Sequence, residues 1–385
     1  MKIKKHILVW DGIAFAGGSK NATLSLLKTL DSNQVVITVI TKDPTSWQGM
    51  QLKKLQLLEM RWLANKTQGV LFFIKHLLLV FNLVIARLRF GKIDMVLGAS
   101  GPGGDFTLYF ARLLFRFVLV QLVHGPVACS RSIGRCLIKA DAVFYLASTE
   151  ESIQNALHRF RGFSEELVNT TRFQAFNNGL SLEHWPQACQ QQHPQLYWAA
   201  SLLKWKGLDL FVQALQQLDS NERPQTHICY IRPKQINLLI SKAPVALERV
   251  HWHEMPDHLD RIRAESNIFV STSHSEPFGL SILEAMAAGH CILIPDDGAY
   301  WDQVLVDGEC CVKYQAGNAA DLAEKIRQLQ ANDKLRRRLG KAAFKIAQNY
   351  VADDLYRPLT ERIYHALGIT QPKLSGLPPF ATERV

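Results

Sequence analysis

The feature that most constrains the fold is a strand–loop–helix–strand pattern between residues 267 and 295. An apolar run, Asn267-Ile-Phe-Val-Ser-Thr272, has the composition of a buried strand, and His290-Cys-Ile-Leu-Ile-Pro295 forms a second one. Between them, Ser281 to Ala288 contains good helix formers, and Gly289 is placed to end the helix. This unit predicts two buried strands joined through a polar loop and a short helix.

The same alternation of strand and helix patterns runs along the chain in two blocks. The first block opens with the strand His6-Ile-Leu-Val-Trp10 and a helical pattern from Asn21 to Leu30, and the second restarts at Leu196-Tyr-Trp-Ala-Ala200. A polar, glutamine-rich segment from Pro186 to Pro194 separates the blocks and is typical of a linker. Because strands and helices alternate throughout, the sequence predicts an α/β protein.

Two domains are expected, because a chain of 385 residues is too long for one small core. We predict a first Rossmann-like domain over residues 1–185 and a second over residues 186–352. The last helical pattern, from about Asp353 to Leu367, has no strand near it in sequence. We therefore expect it to pack back on the first domain, to which residues 353–385, with their Pro- and Gly-containing tail, are assigned.

Cysteine usage and the N-terminal segment bear on where the chain resides. The seven cysteines have no regular spacing, and two are adjacent at Cys310-Cys311, which indicates neither a disulfide framework nor a zinc site. The basic N-terminal segment, Met1-Lys-Ile-Lys-Lys-His6, leads directly into a strand without a cleavable apolar region. We expect a cytoplasmic protein.

Positive charge is concentrated in one part of the chain. The segment from Gln68 to Ala140 contains nine basic and two acidic residues, so it carries seven of the ten net positive charges. Such a surface points to anionic lipid head groups, phosphorylated acceptors or nucleic acid, and a basic face without a partner is the alternative. Nucleic acid is disfavoured, since the bases lack interleaved exposed aromatic residues and no groove-reading motif is visible.

The most apolar stretch, Gly69 to Phe90, lies inside this basic segment. It approaches membrane-spanning length, but Lys75, His76 and Asn82 interrupt it, which disfavours insertion across a bilayer. Two interpretations remain open and are not exclusive: a buried helix of the core, or a helix that presses an apolar face into a bilayer with cations on its flanks.

Two carboxylates, Glu276 and Glu284, stand eight residues apart in the central unit, one in the loop and one in the helix. The intervening Pro277-Phe-Gly279 leaves the amides at the helix start free to meet an anion. A diphosphate at that helix end, with two carboxylates nearby to accept hydrogen bonds from hydroxyl groups, predicts a nucleotide-sugar site.

Other polar residues follow predicted strands at positions where parallel sheets bind ligands. His124 ends one strand of the first block, Gly17-Gly18 lies between a strand and a helix, and Lys206 precedes Gly207 in the same context. Each signal is weak alone: glycines are frequent in such turns, and a strand-end histidine or a surface lysine commonly has no ligand. No D-x-D-like metal motif precedes the predicted sugar site.

Together these segments resemble the retaining glycosyltransferases of the GT-B fold, specifically family 4 (glycosyl transferases group 1). Glu276-Pro-Phe-Gly-Leu-Ser-Ile-Leu-Glu284-Ala-Met-Ala-Ala-Gly289 fits the E-x₇-E signature of that family and its following helix. Lys206-Gly207 matches the K-G element, Asn178-Gly179 the interdomain turn, and Gly17-Gly18 the N-terminal glycine loop. The resemblance implies two Rossmann-like β/α/β domains facing a central cleft.

The resemblance also implies roles for individual residues. Lys206 would neutralise the leaving diphosphate, Glu276 would hold the transferred sugar, and His124 would contact that sugar from the first domain. Where the family usually carries Gly-Arg, this chain has Ala200-Ser201, which removes a second cation unless Lys204 or another base replaces it. The remaining positions implied to bind the donor are Gly17, Gly18, Ser201, Phe278, Gly279, Leu280 and Glu284.

The activity implied is metal-independent transfer of a sugar, without a cofactor and with retention of configuration, from a UDP- or GDP-linked donor. The basic, apolar first domain favours a saccharide or lipid-linked acceptor, peripheral contact with an anionic membrane, and a role in bacterial envelope polysaccharide or lipopolysaccharide synthesis. Two alternatives are a hydrolase that uses the carboxylates as an acid–base pair, which fits less well, and a non-catalytic nucleotide-sugar-binding subunit.

Overall fold

The computed structural model describes residues 4–48, 50–161, 171–190, 193–233 and 238–371. These residues form two compact units. Unit 1 holds the described residues from 4 to 179 and from 353 to 371, and unit 2 holds those from 180 to 352, apart from the undescribed gaps. The predicted tail beyond residue 371 lies outside the described residues.

Unit 1 is built on a seven-stranded parallel sheet of order β3-β2-β1-β4-β5-β6-β7. Its strands are β1 Lys5–Asp11, β2 Val35–Thr41, β3 Lys53–Gln56, β4 Met95–Gly98, β5 Val118–Val123, β6 Ala142–Leu146 and β7 Phe173–Phe176. Its helices are α1 Gly18–Lys28, α2 Arg61–Ala64, α3 Gly69–Phe90, α4 Gly101–Gly104, α5 Phe106–Ala111, α6 Arg131–Lys139 and α7 Glu150–Arg161.

Unit 2 contains a six-stranded parallel sheet of order β10-β9-β8-β11-β12-β13. Its strands are β8 Gln195–Ser201, β9 Gln225–Ile231, β10 Val250–Glu254, β11 Ile268–Val270, β12 Cys291–Asp296 and β13 Val312–Gln315. The helices of unit 2 are α8 Leu208–Gln216, α9 Leu259–Ala264, α10 Leu280–Ala287, α11 Tyr300–Val304, α12 Ala319–Ala331 and α13 Asp333–Ala347. The short helix α14, Ala352–Leu355, begins in unit 2 and ends in unit 1. The following helix, α15 Arg357–Leu367, belongs to unit 1.

The parallel arrangement follows from the apolar strands. The interior strands β4 and β12 are buried on both faces over most of their length, as expected when helices cover the sheet on both sides. The predicted fold class is confirmed: each unit is a parallel sheet with interleaved helices. Because the carboxyl ends of parallel strands lie at one edge, the loops after β8 and β11 meet at the same edge of unit 2.

One local prediction was wrong. The helical pattern from Asp353 to Leu367 is split at Tyr356, because Pro358 has no amide hydrogen and its ring would clash with the preceding turn of a continuous helix. In unit 1 the glycine-rich segment Gly101-Pro-Gly-Gly104 forms the single helical turn α4, whose end is fixed by Asp105 N donating to Gly101 O at 2.9 Å.

The final helix packs on unit 1, as predicted. The Tyr364 hydroxyl accepts a hydrogen bond from Asp31 N at 2.7 Å, and the hydroxyls of Thr360 and Thr29 lie 2.7 Å apart. The apolar face of α15, including Leu359 and Ile363, is buried. Unit 1 therefore draws on both ends of the chain.

Helix α3 has two distinct faces. On the buried face, His76 Nδ1 contacts the Thr107 hydroxyl at 2.8 Å, and Asn82 exchanges hydrogen bonds with the backbone of Leu58. Among the described residues, α3 is the one helix whose length and apolar composition would allow it to cross a membrane. Core helices of soluble proteins also meet these two criteria. Of its most apolar 18-residue window, 33% is buried. The polar contacts fix α3 to unit 1, so the prediction of a core helix is confirmed for this face.

Candidate active site

The two residues at the centre of the predicted site, Lys206 and Glu276, are brought together by a close contact between two loops. Gly207 follows Lys206 with φ +72°, and a Cβ atom there would lie 1.8 Å from Thr272 O. The Thr272 hydroxyl also donates to Lys206 O at 3.2 Å, and His274 N donates to Trp205 O at 2.8 Å. Only glycine allows this approach, which explains the Lys-Gly pair in physical terms.

Lys206 and Glu276 form an ion pair through Nζ and Oε2. Both side chains are largely buried, with 17% and 14% of their surface exposed. The Lys206 Nζ atom also lies 4.0 Å from the centre of the Trp205 ring, at cation–π distance. The ammonium group is thus held at a fixed place beside the loop that leads into α10.

The start of α10 is shaped by Gly279, which is its N-cap with φ +77°. A Cβ atom there would lie 2.9 Å from Ile282 Cδ1 and 3.0 Å from Glu276 Cγ, so the loop closes tightly around this glycine. The Phe278 ring is buried against Tyr300, which leaves its backbone as the part available to a ligand. The amides of Leu280 and Ser281 have no hydrogen-bond partner among the described residues and suit an anion, whereas Ile282 N already donates to Gly279 O at 3.0 Å.

Glu284 lies one turn further along α10 and is bound by a residue that sequence reasoning missed. Arg263 of α9 donates from one terminal nitrogen to Glu284 Oε2 at 2.8 Å and from the other to Asp260 Oδ1 at 2.7 Å. Arg263 is 7% exposed, so the pair is largely shielded from water. No sequence motif marks Arg263, because its burial depends on how α9 packs against α10.

Ser201 and Lys204 do not supply the second cation that the family carries. Ser201 is the last residue of β8 and pairs with Ile231 of β9. Lys204 Nζ binds Asp209 at 2.9 Å, and Asp209 also accepts a hydrogen bond from the Ser241 hydroxyl. In the structure Lys204 therefore neutralises Asp209 and is not a substitute for an arginine at position 201.

In unit 1 the predicted residues gather at the start of α1. Gly17 is the N-cap of this helix and Gly18 its first residue. Gly17 has φ −167°, an extended conformation that any residue adopts, and a Cβ atom there would meet only Phe15 at an ordinary 3.8 Å. The expected role of this pair in letting backbone approach a ligand thus has no support from backbone strain, although both residues lie at a helix start.

His124 follows β5 and faces α1. Its Nε2 lies 3.1 Å from the Thr23 hydroxyl, which itself donates to Ser19 O at 2.8 Å. Since that hydroxyl has only one hydrogen, His124 Nε2 must donate to it, and Nδ1 therefore carries a lone pair. Burial lowers the pKa of His124 to about 4, so the ring is neutral at pH 7. The Nδ1 atom is buried without a partner among the described residues.

The structure thus gathers the predicted residues in two places. Gly17, Gly18 and His124 lie together in unit 1, and the remaining predicted residues lie in unit 2 around the starts of α8 and α10. In the described part of the chain, no three His, Cys, Asp or Glu side chains are grouped so as to hold a metal ion.

A comparison with protein families identifies the class of unit 2. Residues 183–346 match the family model of the glycosyl transferases group 1, which covers somewhat less than half of the chain. No curated protein matches the sequence. The matched segment contains Lys206, Glu276 and Glu284 and covers most of unit 2, so the similarity to this family lies in the unit where the sequence predicted the nucleotide-sugar site.

Solved structures define the fold of the whole chain. A structure of Anabaena HepE in complex with UDP and glucose is 15% identical, with a TM-score of 0.68 over 94% of this chain and 99% of that one. Sucrose-phosphate synthase from Thermosynechococcus elongatus is 16% identical (TM-score 0.69; 95% and 99% covered). WaaG, a glycosyltransferase involved in lipopolysaccharide biosynthesis, is 15% identical (TM-score 0.65; 93% and 99% covered). At these identities the likeness establishes the GT-B fold.

Proposed function

We propose that this protein is a retaining, metal-independent glycosyltransferase of the family 4 type. It would move a hexosyl group from a nucleoside diphosphate sugar to a saccharide or lipid-linked acceptor. The observation that carries the proposal is the ion pair of Lys206 with Glu276 beside the start of α10. That arrangement supplies a cation for a diphosphate, a carboxylate for sugar hydroxyls and helix amides for phosphate oxygens.

The donor would bind with its diphosphate at the α10 amides and its sugar at Glu276. Lys206 would then shift from Glu276 toward the diphosphate, where negative charge grows as the bond from the sugar C1 to the phosphate oxygen breaks. The acceptor oxygen forms the new bond to C1 on the same face, so the configuration is retained. Its proton passes to an oxygen of the departing diphosphate, which balances the charge.

His124 would serve the sugar as a hydrogen-bond acceptor. Its Nε2–H group donates to the Thr23 hydroxyl. The ring is neutral, so Nδ1 carries a lone pair, and this atom has no partner among the described residues. A sugar hydroxyl is the kind of donor that such a buried nitrogen lacks. We assign it a binding role, because a group with a pKa of about 4 is a weak base at neutral pH.

The donor and pathway are inferred from the neighbours. HepE is described in complex with UDP-glucose and WaaG as involved in lipopolysaccharide biosynthesis, which supports a UDP- or GDP-sugar donor and envelope polysaccharide or lipopolysaccharide assembly. We place the reaction in the cytoplasm. Contact of α3 with the anionic inner face of a membrane would bring unit 1 to a lipid-linked acceptor.

The test is a screen of UDP-, GDP- and ADP-sugars for transfer and for slow hydrolysis of the donor. Replacing either Lys206 or Glu276 with alanine should abolish both reactions while the circular dichroism spectrum is unchanged. Lys204→Ala is the matched control, since Lys204 binds Asp209, and should keep activity within a few-fold. Full activity of the Lys206 or Glu276 variant would refute the assignment, and nucleotide-sugar binding without turnover would favour the non-catalytic subunit.

A further inference from the structure

A buried arginine, Arg263, binds one carboxylate oxygen of Glu284, which lies one turn after the start of α10. Arg263 donates to Glu284 Oε2 at 2.8 Å, and no described residue makes a hydrogen bond to Oε1. The Arg263 side chain is 7% exposed and that of Glu284 is 25% exposed. Glu284 Oε2 therefore faces the guanidinium of Arg263, and the carboxylate as a whole remains partly exposed.

Arg263 is itself held from several directions. Its second terminal nitrogen donates to Asp260 at 2.7 Å, one turn earlier in α9. Its backbone carbonyl accepts a hydrogen bond from His290 Nε2 at 2.9 Å, and His290 is fully buried at the start of β12. Because a buried guanidinium remains charged, it requires these carboxylates, and it cannot turn away without leaving a charge unpaired.

We propose that Arg263 is a positioning residue that makes the site selective for a ribose with free hydroxyls. With Oε2 bonded to Arg263, Glu284 presents Oε1, whose lone pairs can accept hydrogen bonds from the neighbouring 2′ and 3′ hydroxyls. A carboxylate freed from Arg263 would rotate and lose this preference. The inference rests on the proposed nucleotide-sugar donor, to which the family resemblance assigns Glu284, and it adds the residue that sets the geometry.

The experiment compares binding of UDP with binding of 2′,3′-dideoxy-UDP to the full-length protein by calorimetry; GDP and its dideoxy form are used if UDP does not bind. We expect the unaltered protein to prefer the ribose form by about tenfold or more, since hydrogen bonds to a charged group are lost. Both Glu284→Gln and Arg263→Met should bring the preference close to unity, with little change in the affinity for the dideoxy nucleotide.

The controls separate positioning from general damage. Arg261→Met removes an exposed arginine of the same helix and should keep the full preference. The double variant Arg263→Met with Glu284→Gln should behave like Glu284→Gln alone, because the two residues act through one carboxylate. If Arg263→Met does not fold, Arg263→Lys keeps the charge but not the planar fork, and a clear loss of preference is expected.

Two results would contradict the proposal and differ in meaning. If Glu284→Gln loses the preference and a folded Arg263 variant keeps it, Arg263 has no positioning role, although the ribose assignment stands. If Glu284→Gln itself keeps the preference, Glu284 does not bind the ribose, and the nucleotide part of the proposed function fails together with this inference.

Discussion

Gly207 shows how a single missing side chain determines the geometry of the site. Its backbone lies in the left-handed region, and its α-carbon approaches the chain at Thr272 so closely that a methyl group would be 1.8 Å from a carbonyl oxygen. Backbone cannot yield as a flexible side chain can. The contact between the loop of Lys206 and the loop of Glu276 therefore depends on glycine at this position.

We predict that Gly207→Ala destabilises unit 2 by roughly 3 kcal/mol, through overpacking added to the strain of a left-handed residue. Urea unfolding followed by tryptophan fluorescence measures this. Gly298→Ala is the matched control, because Gly298 has φ +73° with nothing within 4 Å of the added Cβ, and only the strain of about 1 kcal/mol should remain. Equal losses in the two variants would show that the loop contact adjusts without cost.

His290 gives the stability of unit 2 a dependence on pH. Burial lowers its pKa to about 3, with a smaller opposing effect from the hydrogen bond to Arg263 O. The unfolded chain, with an ordinary pKa near 6.5, binds a proton at pH 5 that the folded chain does not. The stabilisation is therefore complete above pH 6.5 and is lost as the pH falls toward the folded pKa, by about 2 kcal/mol between pH 7 and pH 5.

The measurement is urea unfolding at pH 7 and pH 5 for the unaltered protein and for His290→Gln. Whatever its stability at pH 7, the variant should lose about 2 kcal/mol less on acidification, because the titrating group is gone. His184→Gln, at an exposed position, should lose as much as the unaltered protein. An unchanged loss in His290→Gln would show that His290 does not titrate in this range.

At the scale of elements, the sequence was most informative where strands are buried on both faces. The runs that became β1, β11 and β12 were found within two residues, since an apolar stretch of that length has few alternatives. Strand β3, Lys53–Gln56, was not predicted, because it lies at the edge of the sheet and is mostly exposed and polar. Edge strands are defined by pairing, which composition does not reveal.

Helix α15 allows a prediction for a whole element. Its buried face includes Leu359, Ile363 and Leu367, and its contacts lie on unit 1. A chain that ends after residue 352 should expose the apolar surface that α15 covers, so unit 1 should unfold at lower urea concentration while unit 2 is little affected. Limited proteolysis distinguishes the two units by the size of the fragments that survive.

A conservative variant of α15 gives a reference for the stability that unit 1 loses in the shortened chain. Tyr364→Phe keeps the ring and removes the acceptor of the Asp31 amide, so it should cost only about 1 kcal/mol. If the shortened chain is as stable as the unaltered one in unit 1, the packing of α15 does not contribute to the core.

At the scale of the whole molecule, sequence motifs lead to the loops of the candidate site but not to the residues that support them. The E-x₇-E spacing and the Lys-Gly pair single out Glu276, Glu284 and Lys206, and the structure places Lys206 and Glu276 in an ion pair, because local sequence fixes where a loop and a helix start place their side chains. Arg263 could not be found this way, since a buried arginine on a short helix looks like any charged surface residue until the packing is known.

The distribution of apolar and basic groups over unit 1 leads to the last prediction. The outer face of α3 exposes a row of large apolar side chains at helical spacing, and the segment after α5 adds Leu113 and Leu114. Exposed cations, including Arg89 and Arg116, lie in the same part of the chain, which carries seven of the ten net charges. The row in α3 consists of Val70, Ile74, Leu77, Phe81 and Leu88.

Such a surface suits an anionic bilayer, in which apolar side chains enter the interface and cations meet head groups. We predict that the protein sediments with vesicles rich in phosphatidylglycerol at low salt, is released by high salt, and binds phosphatidylcholine vesicles much more weakly. Replacing both Leu77 and Phe81 with glutamate should abolish sedimentation. Leu239→Glu, at a leucine 79% exposed in unit 2, should leave it unchanged, and no binding to anionic vesicles at low salt would contradict the membrane contact.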